Sequence, residues 1–338
     1  MTQLEAALEQ WKEIISQQID QENRRMEQFY RKDAVGGSPI SFIAFWRDRN
    51  AVLSALYEQL QMDYVKNLLV IMVKARVNSM GHFQKKLQEI IAMYNDARDT
   101  IRFLTTLERH FKNLANGKLS TIRETIPPML DSLQNIWVLS HHFNKDNNKD
   151  TRMGLLMQKI AQEIADKVSR KINIHQIFRR SPEQVMRTIN EGKAVLDLWQ
   201  EAYQETREAI EKSGSEHWIF TPNTLFEKTR HMSEICTELH EIALTLDHFG
   251  KLLGSELKAV TDNNEKIEEV NRRVQNLVAP LENLGYDIFH SQCHHHWEIA
   301  FQEFKEKVNK PTHKPISHTS LIHSSSSRHI SLLITIYV

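Results

Sequence analysis

The chain has 338 residues, of which 41% are hydrophobic and 25% charged, a composition that can bury a core and excludes a wholly disordered or membrane-embedded chain. Lysine plus arginine (43) equals aspartate plus glutamate (43), so the formal net charge of zero gives no electrostatic reason to expect nucleic acid or an anionic membrane as a partner. Two cysteines, Cys236 and Cys293, are too few for a disulfide scaffold and favour a reducing compartment such as the cytoplasm.

Apolar residues repeat at helical spacing along most of the chain, and no alternating strand pattern lies between the repeats. The spacing predicts helices near residues 3–33, 40–78, 82–115, 127–142, 151–173, 183–212, 223–254, 264–283 and 295–309. Apolar stripes such as Ile267, Val270, Val274, Leu277 and Leu281 need a partner helix, because alone they leave apolar surface in water. The predicted fold is all-α, an elongated stack of long-helix bundles with an unstructured or non-native C-terminal tail.

Proline and glycine mark the predicted helix boundaries. A hydroxyl residue that can cap a helix stands before a proline at Ser38-Pro39, Ser181-Pro182 and Thr221-Pro222. Glycines that can end a helix stand in Gly36-Gly37, Asn116-Gly117, Ser213-Gly214 and at Gly285. We therefore predict a leading helix and glycine-containing linker over residues 1–36, helical bundles over 37–310, and a separate tail over 311–338.

The tail over residues 311–338 is rich in serine and histidine and ends in an uncharged, β-prone run from Ile330 to Val338. We expect it to be disordered or non-native; the alternative is a peptide signal or a membrane-dipping tip. The polar start Met1-Thr2-Gln3 lacks the apolar region of a signal peptide. No apolar run reaches the roughly 18 residues of a transmembrane helix.

Motifs for enzymatic chemistry are not found. Gly-Lys pairs at 117–118, 192–193 and 250–251 lack both the following serine or threonine and the earlier glycine of a phosphate-binding loop. There is also no dinucleotide-binding, nucleophile-elbow or zincin motif. The sequence therefore predicts no catalytic residue and no cofactor.

One run, Cys293-His294-His295-His296, suggests a zinc or copper site, with His290 nearby. Consecutive helical side chains point about 100° apart, so one ion could reach about two of them. Because no second Cys/His pair follows at zinc-finger spacing, we favour an exposed loop before the last helix and predict no metal site.

Three further features have structural interpretations. The charged segment from Glu22 to Lys32 is interpreted as a solvated helix face, and His141-His142 as a complement to the negative end of a helix dipole. The tryptophans at 11, 46, 137, 199, 218 and 297 are predicted to pack in the core or between helices; partner anchoring is the alternative for some of them.

A series of segments resembles a known family. The first includes Phe45, Trp46, Arg47 and Arg49 and continues into Tyr57-Glu58-Gln59-Leu60. The later segments contain, in order, Phe103, Leu104, Leu107, Glu108, Pro127, Trp137 and Phe226. Each segment is weak evidence alone, but in this order they resemble region 1 of the N-terminal tail (stem) of axonemal dynein heavy chains.

The resemblance implies a non-motor role. Such tails associate with other heavy chains, carry intermediate and light chains, and anchor a minus-end-directed microtubule motor to the doublet microtubule of the ciliary or flagellar axoneme. It further implies that the AAA+ motor, its linker and its stalk lie outside this chain, which is then a fragment without ATPase activity. Two alternatives are a helical scaffold or adaptor unrelated to dynein and a metalloenzyme that uses the Cys293–His296 run.

Overall fold

The computed structural model describes residues 2–31, 37–77, 79–144, 152–172, 174, 181–212, 218, 222–258, 264–282 and 284–309. Within these ranges every regular element is a helix, so the all-α prediction is confirmed. No described helix combines the length and apolar character needed to cross a bilayer. The predicted tail over 311–338 lies outside the described residues, as do the turn at Ser213-Gly214 and residues 32–36.

Eleven α-helices cover most of the described ranges. They are α1 (Thr2–Tyr30), α2 (Pro39–Gln61), α3 (Asp63–Lys74), α4 (Met80–Asn116), α5 (Leu119–Leu139), α6 (His141–Asn144), α7 (Arg152–Lys171), α8 (Pro182–Lys212), α9 (Pro222–Lys258), α10 (Asn264–Glu282) and α11 (His294–Asn309). A 3-10 turn, Ser291–Cys293, leads into α11. Most of these bounds lie within a few residues of the predicted ones.

The chain divides into two compact units. The first contains residues 1–163 and 202–221, and within it α1, α2 and α5 pack on the long helix α4. The second contains residues 164–201 and everything from Pro222 onward; within it α10 packs on α11 and α9 packs on α10. Five of the six tryptophans are buried and Trp11 is half-buried, which confirms their predicted place in the core.

The prediction of one continuous helix over 40–78 is wrong, because the chain forms two helices there, with a break at Met62. That residue has an extended backbone (φ −61°, ψ 136°), so α2 ends at Gln61 and α3 starts at Asp63. The break turns Met72 of α3 toward a core cluster that includes Leu8, Phe83 and Ile90. No glycine or proline marks it, so tertiary packing decides this boundary rather than local sequence.

The helix predicted over 127–142 also needs correction. It begins earlier, at Leu119, and carries Pro127 and Pro128 in its interior. Both prolines are exposed, as are Arg123 and Glu124, whose carbonyl groups lose a helical partner, so water can satisfy those groups. Apolar neighbours such as Ile126, Met129 and Leu130 are buried, and their packing outweighs the local cost of the prolines.

Two predicted helix ends are confirmed, at Ser38 and at Gly117, but the reason why Gly117 is a glycine differs from the prediction. The Ser38 hydroxyl accepts a hydrogen bond from the Ser41 backbone N–H at 3.3 Å, as expected of an N-cap before Pro39. Gly117 ends α4 as predicted, but its backbone is extended (φ −72°) rather than left-handed. A Cβ atom at Gly117 would collide with the carbonyl oxygen of Asn113, so glycine is required there by close approach.

Candidate functional site

The first resembling segment lies on α2 and surrounds a group of buried charges. Arg49 is 3% exposed, and its guanidinium donates to the Glu22 carboxylate at 3.0 Å and to the Glu22 carbonyl oxygen at 2.8 Å. Glu22 is 2% exposed and lies on α1. The interpretation of the segment from Glu22 as a solvated face is therefore wrong at Glu22 itself, whose buried carboxylate pairs with both Arg49 at 3.0 Å and Arg25 at 2.8 Å.

A second buried arginine, Arg152 at the start of α7, contacts the same segment. Its guanidinium binds both carboxylate oxygens of Asp96, at 2.7 and 3.1 Å, and its Cζ lies 4.1 Å from the centre of the Trp46 ring. A planar guanidinium suits both contacts, since it can grip a carboxylate and stack on an aromatic face at once. The imidazole of His142 also lies 3.3 Å from the Asp96 carboxylate, so it joins this group.

The buried cations differ in how their surroundings shift the pKa. Burial lowers the pKa of Arg49, although the nearby Glu22 carboxylate opposes the shift. Burial also lowers the pKa of Arg152, but the hydrogen bonds and charge of Asp96 outweigh it and the net change is upward. Burial lowers the pKa of Lys159, which is 1% exposed and donates to the Gly37 carbonyl at 3.2 Å.

Aromatic stacking and a surface ion pair hold the other residues of these segments. Phe45 stacks on Phe29 with the ring centres 3.8 Å apart, and Tyr57 stacks on Tyr94 with the ring centres 4.4 Å apart. The Arg47 guanidinium donates a hydrogen bond to the Glu108 carboxylate at 3.0 Å and so links the first resembling segment, on α2, to the second, on α4. The pKa of Glu108 is lowered, first by its hydrogen bond from Lys112 and then by Arg47. Because water screens this ion pair, its contribution to the stability of the fold is small.

The remaining sequence-predicted positions are structural or exposed. Leu104 and Leu107 are fully buried, Leu60 packs against the core cluster, and Phe103 is half-buried. In the first unit Trp137 packs edge to face on Trp218, with the ring centres 5.5 Å apart. In the second unit the ring centre of Phe226 lies 6.3 Å from that of Trp199. Exposed positions are Glu58, Gln59 and Pro127. None of these contacts brings a nucleophile and a base together.

Sequence reasoning missed Glu22, Asp96, Arg152 and Lys159, although a signal was present for some. Glu22 continues the apolar stripe of Ile15 and Ile19 at helical spacing. Arg49 likewise continues the stripe of Phe42 and Trp46. A charge in line with a buried stripe indicates a buried ion, because the helix cannot bury its neighbours and leave that side chain in water.

The histidine side chains in and beside the Cys293–His296 run make separate contacts and do not converge. His290 accepts a hydrogen bond from the Gln292 N–H, His294 and His295 both approach Glu298, and the His296 ring lies 5.8 Å from that of Tyr286. Among the described residues no group of three or more possible ligands converges on one point. Cys236 is fully buried, and burial raises its pKa to about 12, so its thiol is unreactive near neutral pH.

Exposed large hydrophobic residues are most frequent at and beside α3. Ten large hydrophobic residues of the described chain are more than about two-fifths exposed, and half of them fall between Met62 and Val73. They are Met62, which precedes α3, and Tyr64, Val70, Ile71 and Val73 on α3. At about 100° per residue, Tyr64 and Ile71 lie on one flank of the helix and Val73 on the other, so these side chains do not form one continuous face.

Comparison with known proteins identifies the family. The family model described as "Dynein heavy chain, N-terminal region 1" matches residues 1–319. The chain belongs to this family. The matched region is a tail region of the heavy chain and not its motor ATPase, and the match rules out a helical scaffold unrelated to dynein.

Individual relatives agree with the family match. The chain is 38% identical over 305 residues to the dynein-1-alpha heavy chain of the flagellar inner arm I1 complex from Chlamydomonas reinhardtii, and 36% identical over 292 residues to the human dynein axonemal heavy chain 10. It is 24% identical over 291 residues to the dynein-1-beta heavy chain of the same Chlamydomonas complex. These matches cover 89%, 86% and 82% of this chain, but 6% of the length of each relative.

Proposed function

We propose that this chain is a non-motor tail segment of an axonemal dynein heavy chain, which assembles with other dynein subunits in the ciliary or flagellar axoneme. The observation that carries the proposal is the match of tail region 1 to residues 1–319. Relatives named for a flagellar inner arm complex and for the axoneme support the location. The partners we propose are other heavy chains and dynein intermediate and light chains, with microtubules reached indirectly.

The chemistry of the described residues suits such a role. The charged and aromatic residues of the resembling segments are used to hold helices against one another, as at Arg49–Glu22 and Phe45–Phe29. A tail that transmits force needs stiff helices with fixed pairing, and exposed surfaces are then left to bind partners. We propose that the boundary near residue 310 separates these bundles from the serine- and histidine-rich segment over 311–338.

Capture from axonemal extract tests the proposal. The tagged full chain is first checked for a helical circular dichroism spectrum and then incubated with extract from isolated cilia. We expect immunoblots of the recovered material to contain a dynein intermediate chain and a dynein heavy chain. A tagged helical bundle of similar size and zero net charge serves as the control. A folded chain that recovers neither subunit, at a level above this control, contradicts the proposal.

A further inference from the structure

The second half of the long helix α4 carries a row of exposed cations. The row consists of Arg98, Arg102, Arg109 and Lys112, and we call it the α4 basic row. At about 100° per residue these positions fall within about 80° of one another around the helix, so they share one side, and they extend over about 21 Å of its axis. The other exposed positions between Asn95 and Asn116 are asparagine and threonine, so this side of the helix exposes no acid.

The three arginines of the row form no ion pair with a described residue. Neither Arg98 nor Arg109 has an aspartate or glutamate three or four residues away, so helical spacing offers them no partner. Asp99 lies three residues before Arg102, but its carboxylate accepts a hydrogen bond from the Ser140 hydroxyl at 2.9 Å. The charge of the row is therefore largely uncompensated on its own helix.

Like charges are neighbours within the row. Arg98 stands four residues before Arg102, and Arg109 stands three residues before Lys112, and like charges at these spacings repel one another. Lys112 pairs with Glu108 at 2.9 Å. On α8, by contrast, two arginines pair with glutamates four residues later, at 3.0 and 2.8 Å. An anionic partner would relieve the repulsion on α4 that the chain itself leaves in place.

Aromatic rings hold two of these arginines before any partner binds. The Arg98 Cζ lies 5.4 Å from the centre of the Tyr94 ring, which itself stacks on Tyr57. The Arg102 Cζ lies 6.0 Å from the centre of the Phe103 ring. A guanidinium that rests on an aromatic ring can still donate its N–H groups to a carboxylate. Its restricted movement reduces the entropy cost of binding.

We propose that the α4 basic row docks a helix of another dynein subunit that presents a row of aspartate and glutamate residues. The proposal rests on the proposed function and names the chemistry of one partner. Charge complementarity favours this occupant, and each arginine can bind a carboxylate through two parallel hydrogen bonds. The row has steps of four, seven and three residues, so acids at similar steps along a partner helix would lie opposite its cations.

A narrow occupant suits this surface better than a membrane or a nucleic acid. α5 packs beside the row, where the Asn113 side chain donates to the Thr125 hydroxyl at 3.3 Å, and it exposes Glu124 and Asp131. A broad anionic surface would meet these carboxylates as well as the cations of the row. The exposed asparagines and threonines between the cations also supply no apolar side chain to insert into a bilayer.

Site-specific photo-crosslinking tests the docking site. Benzoylphenylalanine replaces Thr105, an exposed residue between Arg102 and Arg109, in the tagged full chain. The matched control carries it at Gln10, an exposed position on α1. After irradiation in axonemal extract, mass spectrometry identifies the cross-linked peptide. We expect the probe at position 105, and not the one at position 10, to cross-link to a dynein subunit peptide with acids at helical spacing.

Charge reversal provides the second arm. Arg102→Glu/Arg109→Glu alters exposed side chains without ion pairs, so the melting temperature should not fall while the cross-link yield drops about tenfold. Arg24→Glu/Lys85→Glu makes the same change in net charge at exposed positions outside the row and should leave the yield unchanged. Arg102→Gln/Arg109→Gln adds no new charge and should lower the yield by a smaller factor, which keeps the test decisive if reversal unfolds the chain. Higher salt should lower the wild-type yield.

Several outcomes overturn the docking proposal. They are a cross-link from position 105 to a peptide without acids or to a second copy of the chain, equal yields after reversal inside and outside the row, and binding to phosphatidylserine vesicles or to RNA that reversal of the row abolishes. A chain that still recovers dynein subunits but gives no cross-link from position 105 overturns the docking site alone. A wild-type chain that recovers no dynein subunit overturns the proposed function, and the docking proposal with it.

Discussion

The two compact units differ in what their cores bury. Four charged side chains, Glu22, Arg49, Arg152 and Lys159, are at least 95% buried in the first unit. In the described part of the second unit the buried polar side chains are Thr229, His231 and Ser233, and the core consists of residues such as Trp199, Trp297 and Leu239. The first unit therefore adds charge pairing to its apolar core, whereas the described core of the second depends on the shape and volume of apolar side chains.

This difference has a physical consequence. A buried charge without its partner keeps its desolvation cost, so only one pairing of α1, α2, α4 and α7 satisfies all of them. An apolar core tolerates exchanges that conserve volume. Changes in charge at these buried positions should accordingly destabilise the first unit, and changes in side-chain volume should control the stability of the second.

The largest effect is expected from Arg49→Met, which removes the buried cation and both hydrogen bonds that it donates to Glu22, and leaves Arg25 as the ion-pair partner of Glu22 among the described residues. We expect the free energy of unfolding to fall by about 3–5 kcal/mol, measured by urea denaturation. Hydrogen exchange of α1 and α2 should accelerate in the same variant. Arg47→Met, two residues away on the same helix and 54% exposed on its side chain, is the matched control and should leave the urea midpoint unchanged. Equal effects of the two changes would remove the distinction between the units.

Leu239→Ala tests the apolar core of the second unit. Leu239 is fully buried on α9, and its loss should lower the free energy of unfolding by about 2–5 kcal/mol through lost burial and a residual cavity. Leu244→Ala on the same helix removes a side chain that is 48% exposed, and should change stability by less than about 0.5 kcal/mol. Leu239→Met, which conserves volume, should cost less than about 1.5 kcal/mol. A larger loss for Leu239→Met than for Leu239→Ala would show that volume does not control this core.

Arg76→Gly should stabilise the first unit. A side chain at φ 51° carries a steric cost that glycine avoids, and after allowance for the greater freedom of glycine in the unfolded chain the gain is about 0.5–1 kcal/mol. Arg76→Ala removes the same charge but keeps the steric cost, so its urea midpoint should not rise. Equal stabilisation by alanine would assign the effect to charge instead of backbone conformation.

The smallest effect concerns pH and the second unit. Burial lowers the pKa of His231 below its ordinary 6.5, and the nearby His294, whose ring centre lies 5.0 Å away, lowers it further. A backbone hydrogen bond at Ile288 and the charges of Glu234 and Glu238 oppose this shift. The unfolded chain therefore binds this proton more tightly. The stability that His231 contributes is complete above pH 6.5 and declines as the pH falls below that value.

His231→Gln should weaken the dependence of stability on pH below 6.5, as measured by melting temperatures across the acid range. His110 in the first unit has a pKa lowered by burial and then by Arg109, so His110→Gln is a comparison with the same expected sign. A steeper acid dependence in His231→Gln would contradict the assignment.

Helix spacing allowed much of this fold to be predicted from local sequence. The bounds of α4, α8 and α11 follow from apolar periodicity and from caps such as Ser181-Pro182, because these signals act within one turn of helix. The break at Met62 and the prolines inside α5 could not be predicted in this way. In both places burial against other helices outweighs the local preference of the backbone.

The candidate site shows the same division. The positions of Trp46 and Arg49 were recognisable by resemblance, but their partners Arg152 and Glu22 are far away in the chain, and only folding brings them together. Sequence alone determined that the chain is helical, and its ordered segments indicated the dynein tail family, because periodicity and motif order are properties of the linear chain. Tertiary structure decided which charges are buried and which apolar residues of α3 are exposed, since burial depends on neighbours that the local sequence does not specify.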